Sequence, residues 1–195
     1  LSLTMPLKEA VLPLLAGRSA LVDITQAANT VLPHDQGWYG ENTDVHGILA
    51  ALEAADVTAL DHVVVLGGGA TARSALAALA ALGCRIPTLV TRQPPTAALA
   101  TAARLQLSPV VVDADRAVLE GADLVISTLP AGAADRFAGR PLEVAVLLDV
   151  AYDPWPSALA QACLGRVIPG TVMLLHQAAA QVALMTGQPA PLPEM

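Results

Sequence analysis

The sequence predicts an α/β protein built on a doubly wound parallel sheet, with part of a smaller α/β domain beside it. Val63–Leu66 is an apolar run of the kind buried on both faces of a parallel sheet, and it leads straight into three glycines and an Ala-rich stretch at helical spacing. Downstream, short apolar runs alternate with helical stretches as far as Val150, the pattern of strands joined by crossover helices. The runs close on small or polar residues, at the strand ends where such sheets hold their ligands.

Before the glycine turn, residues 1–4 read as a short strand ending ahead of Pro6, and residues 7–15 as a helix that this proline opens. Lys8 then falls in the first turn, where a cation opposes the helix dipole, so it is either solvated or held by an acid. The stretch 22–31 sets Gln26, Asn29 and Thr30 among apolar neighbours, and 37–40 forms the return arm of a hairpin. In GENTDVHGI, Asn42 or Thr43 suits an N-cap, and Asp44 complements the dipole of a helix reaching Ala55; capping alone would account for all three.

After the turn come a helix over 70–82, a strand over 86–91, a helix over 97–105 and a strand over 109–112. A short helix over 114–119 and strands over 123–128 and 144–150 follow. The last helix spans 171–185, with Val172, Leu175, Ala179 and Val182 as its core face and Gln177 and Gln181 sharing another. A buried amide there needs a partner, either a neighbouring loop or a polyol ligand.

The glycine turn fits the relaxed form of a dinucleotide fingerprint, with Gly67 and Gly69 in place and Ala72 at the third position. Glycine lets the chain reverse tightly and lets a diphosphate reach backbone amides at the helix start. An ordinary turn in a β/α unit is the alternative. Thr91 and Arg92 stand at the end of the second strand, where NAD-preferring sites place an acid. An arginine suits a 2′-phosphate and favours NADP over NAD, unless Arg92 is merely solvated. Thr128 lies in STLPAG at the end of the fourth strand, and Asp149, Ala151 and Tyr152 at the end of the fifth.

A formal net charge of -7 argues against nucleic acid or an anionic membrane surface as partner. Cys84 and Cys163 have no metal-ligand spacing and read as reduced core residues of a cytoplasmic protein. His34, His46, His62 and His176 likewise form no ligand pattern, so no metal is expected. The uncharged run 167–193 is interrupted by Pro169, Gly170, His176, Gln177 and Gln181, which favours a buried helix over a membrane span. No Arg/Lys-led signal peptide opens the chain. It starts without Met on a strand lacking a preceding partner, so residues upstream are expected to be missing.

Six separated motifs, SLTMPLK, AANT, GENTD, GGGATA, DVAYDP and GTVMLLHQAA, stand in the order found in the shikimate dehydrogenase family, which the chain resembles over nearly its whole length. The resemblance implies a Rossmann-like cofactor domain, residues 44–169, and a substrate domain, residues 1–43 with 170–195, whose N-terminal part is missing. It implies Lys8 as the catalytic lysine and Asp44 as its partner carboxylate. Thr4, Asn29, Thr43, Asp44, Tyr152 and Gln177 match groups lining the substrate pocket. Gly67, Gly68, Gly69, Ala70 and Thr71 match the diphosphate turn, Thr91 and Arg92 the adenosine-phosphate site, Thr128 a cofactor-binding strand end, and Val150 and Gly170 positions near the nicotinamide.

The implied activity is NADPH-dependent reversible reduction of 3-dehydroshikimate to shikimate in aromatic amino acid (chorismate) biosynthesis, by a monomer or homodimer acting on a small molecule. The alternatives are an NAD-using quinate or shikimate dehydrogenase paralogue and a non-catalytic cofactor-binding module. The chain departs from the family pattern in three places. The cofactor turn commonly reads GAGGA, Thr91 replaces an asparagine, and no second basic residue follows Arg92 before Arg104. The family's paired-serine motif would lie upstream of Leu1, so a chain without it is expected to lack part of its pocket and to bind cofactor without turnover.

Overall fold

The computed structural model describes residues 1–192. In chain order the elements are α1 (Leu7–Ala10), β1 (Gly17–Arg18), α2 (Ala20–Thr25), β2 (Thr30–His34), β3 (Gly37–Glu41), α3 (Asp44–Ala54), β4 (Val63–Leu66) and α4 (Ala70–Ala81). They continue as β5 (Thr88–Thr91), α5 (Thr96–Arg104), β6 (Val110–Asp113), β7 (Leu124–Ser127), β8 (Val146–Asp149), α6 (Ala158–Ala162), β9 (Arg166–Pro169) and α7 (Gly170–Thr186).

Six strands form a parallel sheet in the order β6-β5-β4-β7-β8-β9. This is the Rossmann-like doubly wound order: the chain winds outward from β4 to β6, then returns to the other side of β4 as β7. Successive residues of β4 face opposite ways, as the strand period demands. Val63 and Val65 join a core with α3, α4, α5 and Met173 of α7, while Val64 and Leu66 join a second core with Leu147 and with Leu159 of α6. Burial on both faces is why these strands read as unbroken apolar runs.

A second sheet, β1-β3-β2, carries the expected hairpin, with β2 and β3 antiparallel and β1 parallel to β3. The strand expected over 1–4 reduces to one bridge, Ser2 to Thr30, with Leu3 N–H donating to the Asn29 carbonyl. The helix expected over 7–15 ends at Ala10 and gives way to a 3-10 turn at Leu12–Leu14, because Pro13 lacks the N–H that would continue it. The helix expected over 114–119 is absent; Arg116 N–H closes a turn on the Asp113 carbonyl. With Val118 exposed, so short a segment has too little packing to offset the cost of helix nucleation. β5 begins two residues later than expected, after Pro87.

The inward face of α7 differs from the expected one. Gly170, Met173, Gln177 and Gln181 are buried, and Val172, Leu175, Ala179 and Val182 are only half-buried. Polar residues take the core side because α7 packs on α3 and β2, where buried amide and hydroxyl groups await partners. The close crossing of α3 and α7 depends on Gly47, since a Cβ there would stand 2.6 Å from the Met173 carbonyl oxygen. Among the described residues no helix is long and apolar enough to cross a membrane.

Gly47→Ala should therefore lower stability by about 1–3 kcal/mol through overpacking against backbone, read as a lower urea midpoint at unchanged slope. An unchanged midpoint would show that the crossing is loose.

Candidate active site

Lys8 reaches the site from the first turn of α1, and its own carbonyl accepts from Ala28 N–H at 2.8 Å. Its Nζ donates to Asp44 Oδ2 at 2.6 Å, across 36 residues of sequence, and both side chains are largely shielded from solvent. An acid therefore holds this lysine, the second of the two readings its sequence position allowed.

Of the helix-start expectations for Asn42, Thr43 and Asp44, two hold: Asn42 Oδ1 accepts from Asp44 N–H at 3.2 Å, and Asp44 stands in the first turn of α3. Thr43 occupies the cap position in a right-handed helical conformation and makes no capping bond. Its hydroxyl instead bonds Asn29 and Gln177. The free Asp44 oxygen, Oδ1, accepts from Asn29 Nδ2 at 2.9 Å. The motif thus uses its polar groups across the molecule rather than on its own helix.

Asn29 is the hub. Its Nδ2 faces Thr43 Oγ1, Asp44 Oδ1 and Gln177 Oε1, and its Oδ1 accepts from Thr43 N–H and Thr30 Oγ1. Gln181 Nε2 donates to the Asn29 carbonyl at 3.2 Å and to Thr30 Oγ1 at 2.9 Å. The amide pair of α7 therefore has distinct tasks: Gln177 reaches the cleft, and Gln181 pins the backbone behind it.

The cleft has a volume of about 560 Å³. Thr4, Lys8, Asn29, Asp44 and Gln177 line it from the small-sheet side, and Thr71, Thr128, Val150, Tyr152 and Gly170 from the large-sheet side. Thr43 lies outside this lining, buried at Asn29's back. A second cleft of about 280 Å³ is lined by Gly67, Gly68, Thr91 and Arg92, and Leu129 borders both. Gly69 and Ala70 are in neither wall. Gly69 faces open space at the start of α4, and Ala70 is buried, so its role there is limited to its backbone.

The two clefts fit a dinucleotide. Gly67 adopts φ +112°, which favours glycine, and a Cβ there would lie 2.5 Å from Thr128 Oγ1. No side chain caps α4, so its first amides remain available to an anion at the positive end of the helix dipole. Arg92 is exposed and, among the described residues, makes no ion pair. Sequence reading missed the second guanidinium of this cleft: Arg136, paired with Asp115, comes from the loop after β7 rather than from the stretch following Arg92.

One signal for the reactive amine was available and unused. Lys8 is the single lysine of the chain, where every other basic side chain is an arginine. Elsewhere, burial pushes both thiols up; Cys84 is buried, Cys163 is half-buried, and neither is paired.

A sequence model described as the Shikimate 5'-dehydrogenase C-terminal domain matches residues 170–195. The NADP(+) shikimate dehydrogenase of Thermosynechococcus vestitus is 36% identical over 205 residues, covering 97% of this chain and 72% of the relative. Among solved structures, Mycobacterium tuberculosis shikimate dehydrogenase superposes with a TM-score of 0.88 at 39% identity, over 98% of this chain and 76% of that one. Thermus thermophilus shikimate 5-dehydrogenase, solved in complex with NADP(H) and shikimate, gives 0.81 at 29% identity, over 98% and 74%.

Proposed function

The chain belongs to the shikimate dehydrogenase family, and from that premise we propose that the full-length protein carries out the NADPH-dependent, reversible reduction of 3-dehydroshikimate to shikimate. The observation that carries the reading is the Lys8–Asp44 pair at 2.6 Å, set in a cleft whose opposite wall holds Thr71, Val150 and Gly170.

When bound, NADPH supplies the hydride. Reducing a ketone then requires one proton for the developing alkoxide, and the Lys8 ammonium is placed to give it, to be reprotonated afterwards from solvent. The same positive charge stabilises negative charge growing on oxygen. Asp44 holds the ammonium through Oδ2 and is itself fixed through Oδ1 by Asn29, so the donor is oriented before substrate arrives. Asn29, Gln177, Thr4 and Tyr152 present amide and hydroxyl groups to the ring hydroxyls of the substrate, with Thr43 holding Asn29 from behind. Such a wall discriminates against analogues lacking those hydroxyls, because its own polar groups would be left unpaired.

On the cofactor side, Gly67 to Thr71 receive the diphosphate at the start of α4, and Arg92 with Thr91 receives the 2′-phosphate, which favours NADP over NAD. Thr128, Val150 and Gly170 border the nicotinamide position. Residues 1–43 with 170–195, of which 193–195 lie outside the described residues, make up the substrate domain and 44–169 the nucleotide domain. The two free thiols suit a reducing cytoplasm.

Lys8→Ala in the full-length protein should lower turnover by about a hundredfold or more while leaving NADPH affinity close to wild type, measured by steady-state kinetics and nucleotide fluorescence. Retained turnover would exclude the proton-donor role, and cofactor binding without any turnover in the full-length wild type would favour a binding module. Arg92→Ala should weaken NADPH more than NADH. Equal losses would remove the assignment of the 2′-phosphate.

A further inference from the structure

Arg73 is a buried cation with no part in the chemistry above. It is the fourth residue of α4, the helix that starts at the glycine turn, and it is 2% exposed. A guanidinium there carries two costs: loss of hydration, and a place near the positive end of a helix dipole. Two contacts offset them. Arg73 Nη2 donates to Glu9 Oε1 at 2.8 Å and to the Gln26 carbonyl at 3.1 Å, while its Nε is buried without a partner. An ion pair of this kind, with the guanidinium buried and the Glu9 carboxylate half-exposed, is weak grounds for stability, so its placement calls for another explanation.

Both contacts lead to the substrate side of the cleft. Glu9 directly follows Lys8 in α1, a helix of four residues with no buried side chain and too short to hold itself. Gln26 caps α2 in the left-handed conformation, three residues before Asn29. Lys8 is therefore held by three contacts: its carbonyl on Ala28, its ammonium on Asp44, and its neighbour Glu9 on Arg73. Of these, the Arg73 contact alone ties α1 to the helix that begins at the cofactor turn.

We infer that Arg73, acting through Glu9, is a positioning residue that locks the Lys8 segment to the nucleotide-binding helix and so sets the ammonium relative to the nicotinamide site. The inference rests on the proposed role of Lys8 for its catalytic meaning, but the positional claim can be read without turnover. Because the chain has one lysine, an amine-reactive reagent such as acetic anhydride reports on Lys8 alone once fragment-ion mass spectrometry separates it from the terminal amine.

Glu9→Ala changes a half-exposed side chain, and Arg73→Met keeps the buried volume without the charge. Both should label Lys8 faster than wild type, and Glu9→Gln, which keeps an acceptor for Arg73, should restore the slow rate. Charge effects alone give another pattern. Removing a cation near Lys8 and removing an anion near it would then change the labelling rate in opposite directions, and Glu9→Gln would behave like Glu9→Ala. In turnover assays, kcat should fall about tenfold in Glu9→Ala and Arg73→Met with NADPH affinity unchanged.

Wild-type labelling rates in Glu9→Ala overturn the inference even if Arg73→Met does not fold, and so does the pattern expected from charge alone. A full-length wild-type protein without turnover counts against the proposed function, while the labelling rates still decide the positional claim.

Discussion

A shielded ammonium and carboxylate, Lys8 and Asp44, hold together segments that the sequence keeps 36 residues apart. Taking two charges out of water is costly, and their attraction compensates only where the geometry is good and the remaining lone pairs are used. The second Asp44 oxygen must therefore have a donor, and Asn29 is that donor. Asn29 in turn has its carboxamide oxygen satisfied by Thr43 and Thr30 and its backbone carbonyl by Leu3 and Gln181. α7 can bring Gln177 and Gln181 so close only because α3 has a glycine at position 47. The polar network and the helix crossing thus enclose one charged pair.

The large sheet supplies the other half of the site by topology. Its strand order reverses beside β4, so the loops after β4 and β7 diverge and open a crevice at the carboxyl ends of the strands. Gly67 and Thr128 come from those two loops and meet in the crevice. The small sheet and α1 close over one end of it, which brings the Lys8 ammonium to the cleft that Thr71, Val150 and Gly170 line. Arg73 spans the two parts, from the first turns of α4 to Glu9 and Gln26.

Much of this was legible in the chain. The β4 strand, its glycine turn and the following helix are specified by local pattern, and the hairpin of β2 and β3 by its return arm. The motifs pointed to Lys8, Asn29, Asp44 and Gln177, which the fold brings to one cleft. Where reading failed, tertiary partners outweighed local preference. Thr43 looks like a cap but spends its hydroxyl on Asn29. α7 turns its glutamines inward because the partners for their amides lie in the core, a fact that periodicity cannot register. β9 is an edge strand that opens on an exposed arginine and ends on a proline, so it lacks the unbroken apolar run that marks β4. Arg136 joins the cofactor cleft from a distant loop, and no local spacing marks it.

The most direct test of this account is a crystal structure of the chain with NADP and shikimate both bound. The account predicts the nicotinamide ring against Val150 and Gly170, with Lys8 Nζ at hydrogen-bond distance, about 3 Å, from the substrate oxygen attached to the carbon that exchanges hydride. Shikimate bound away from Lys8, or a nicotinamide lying outside the cleft that Lys8 and Asp44 line, would contradict it.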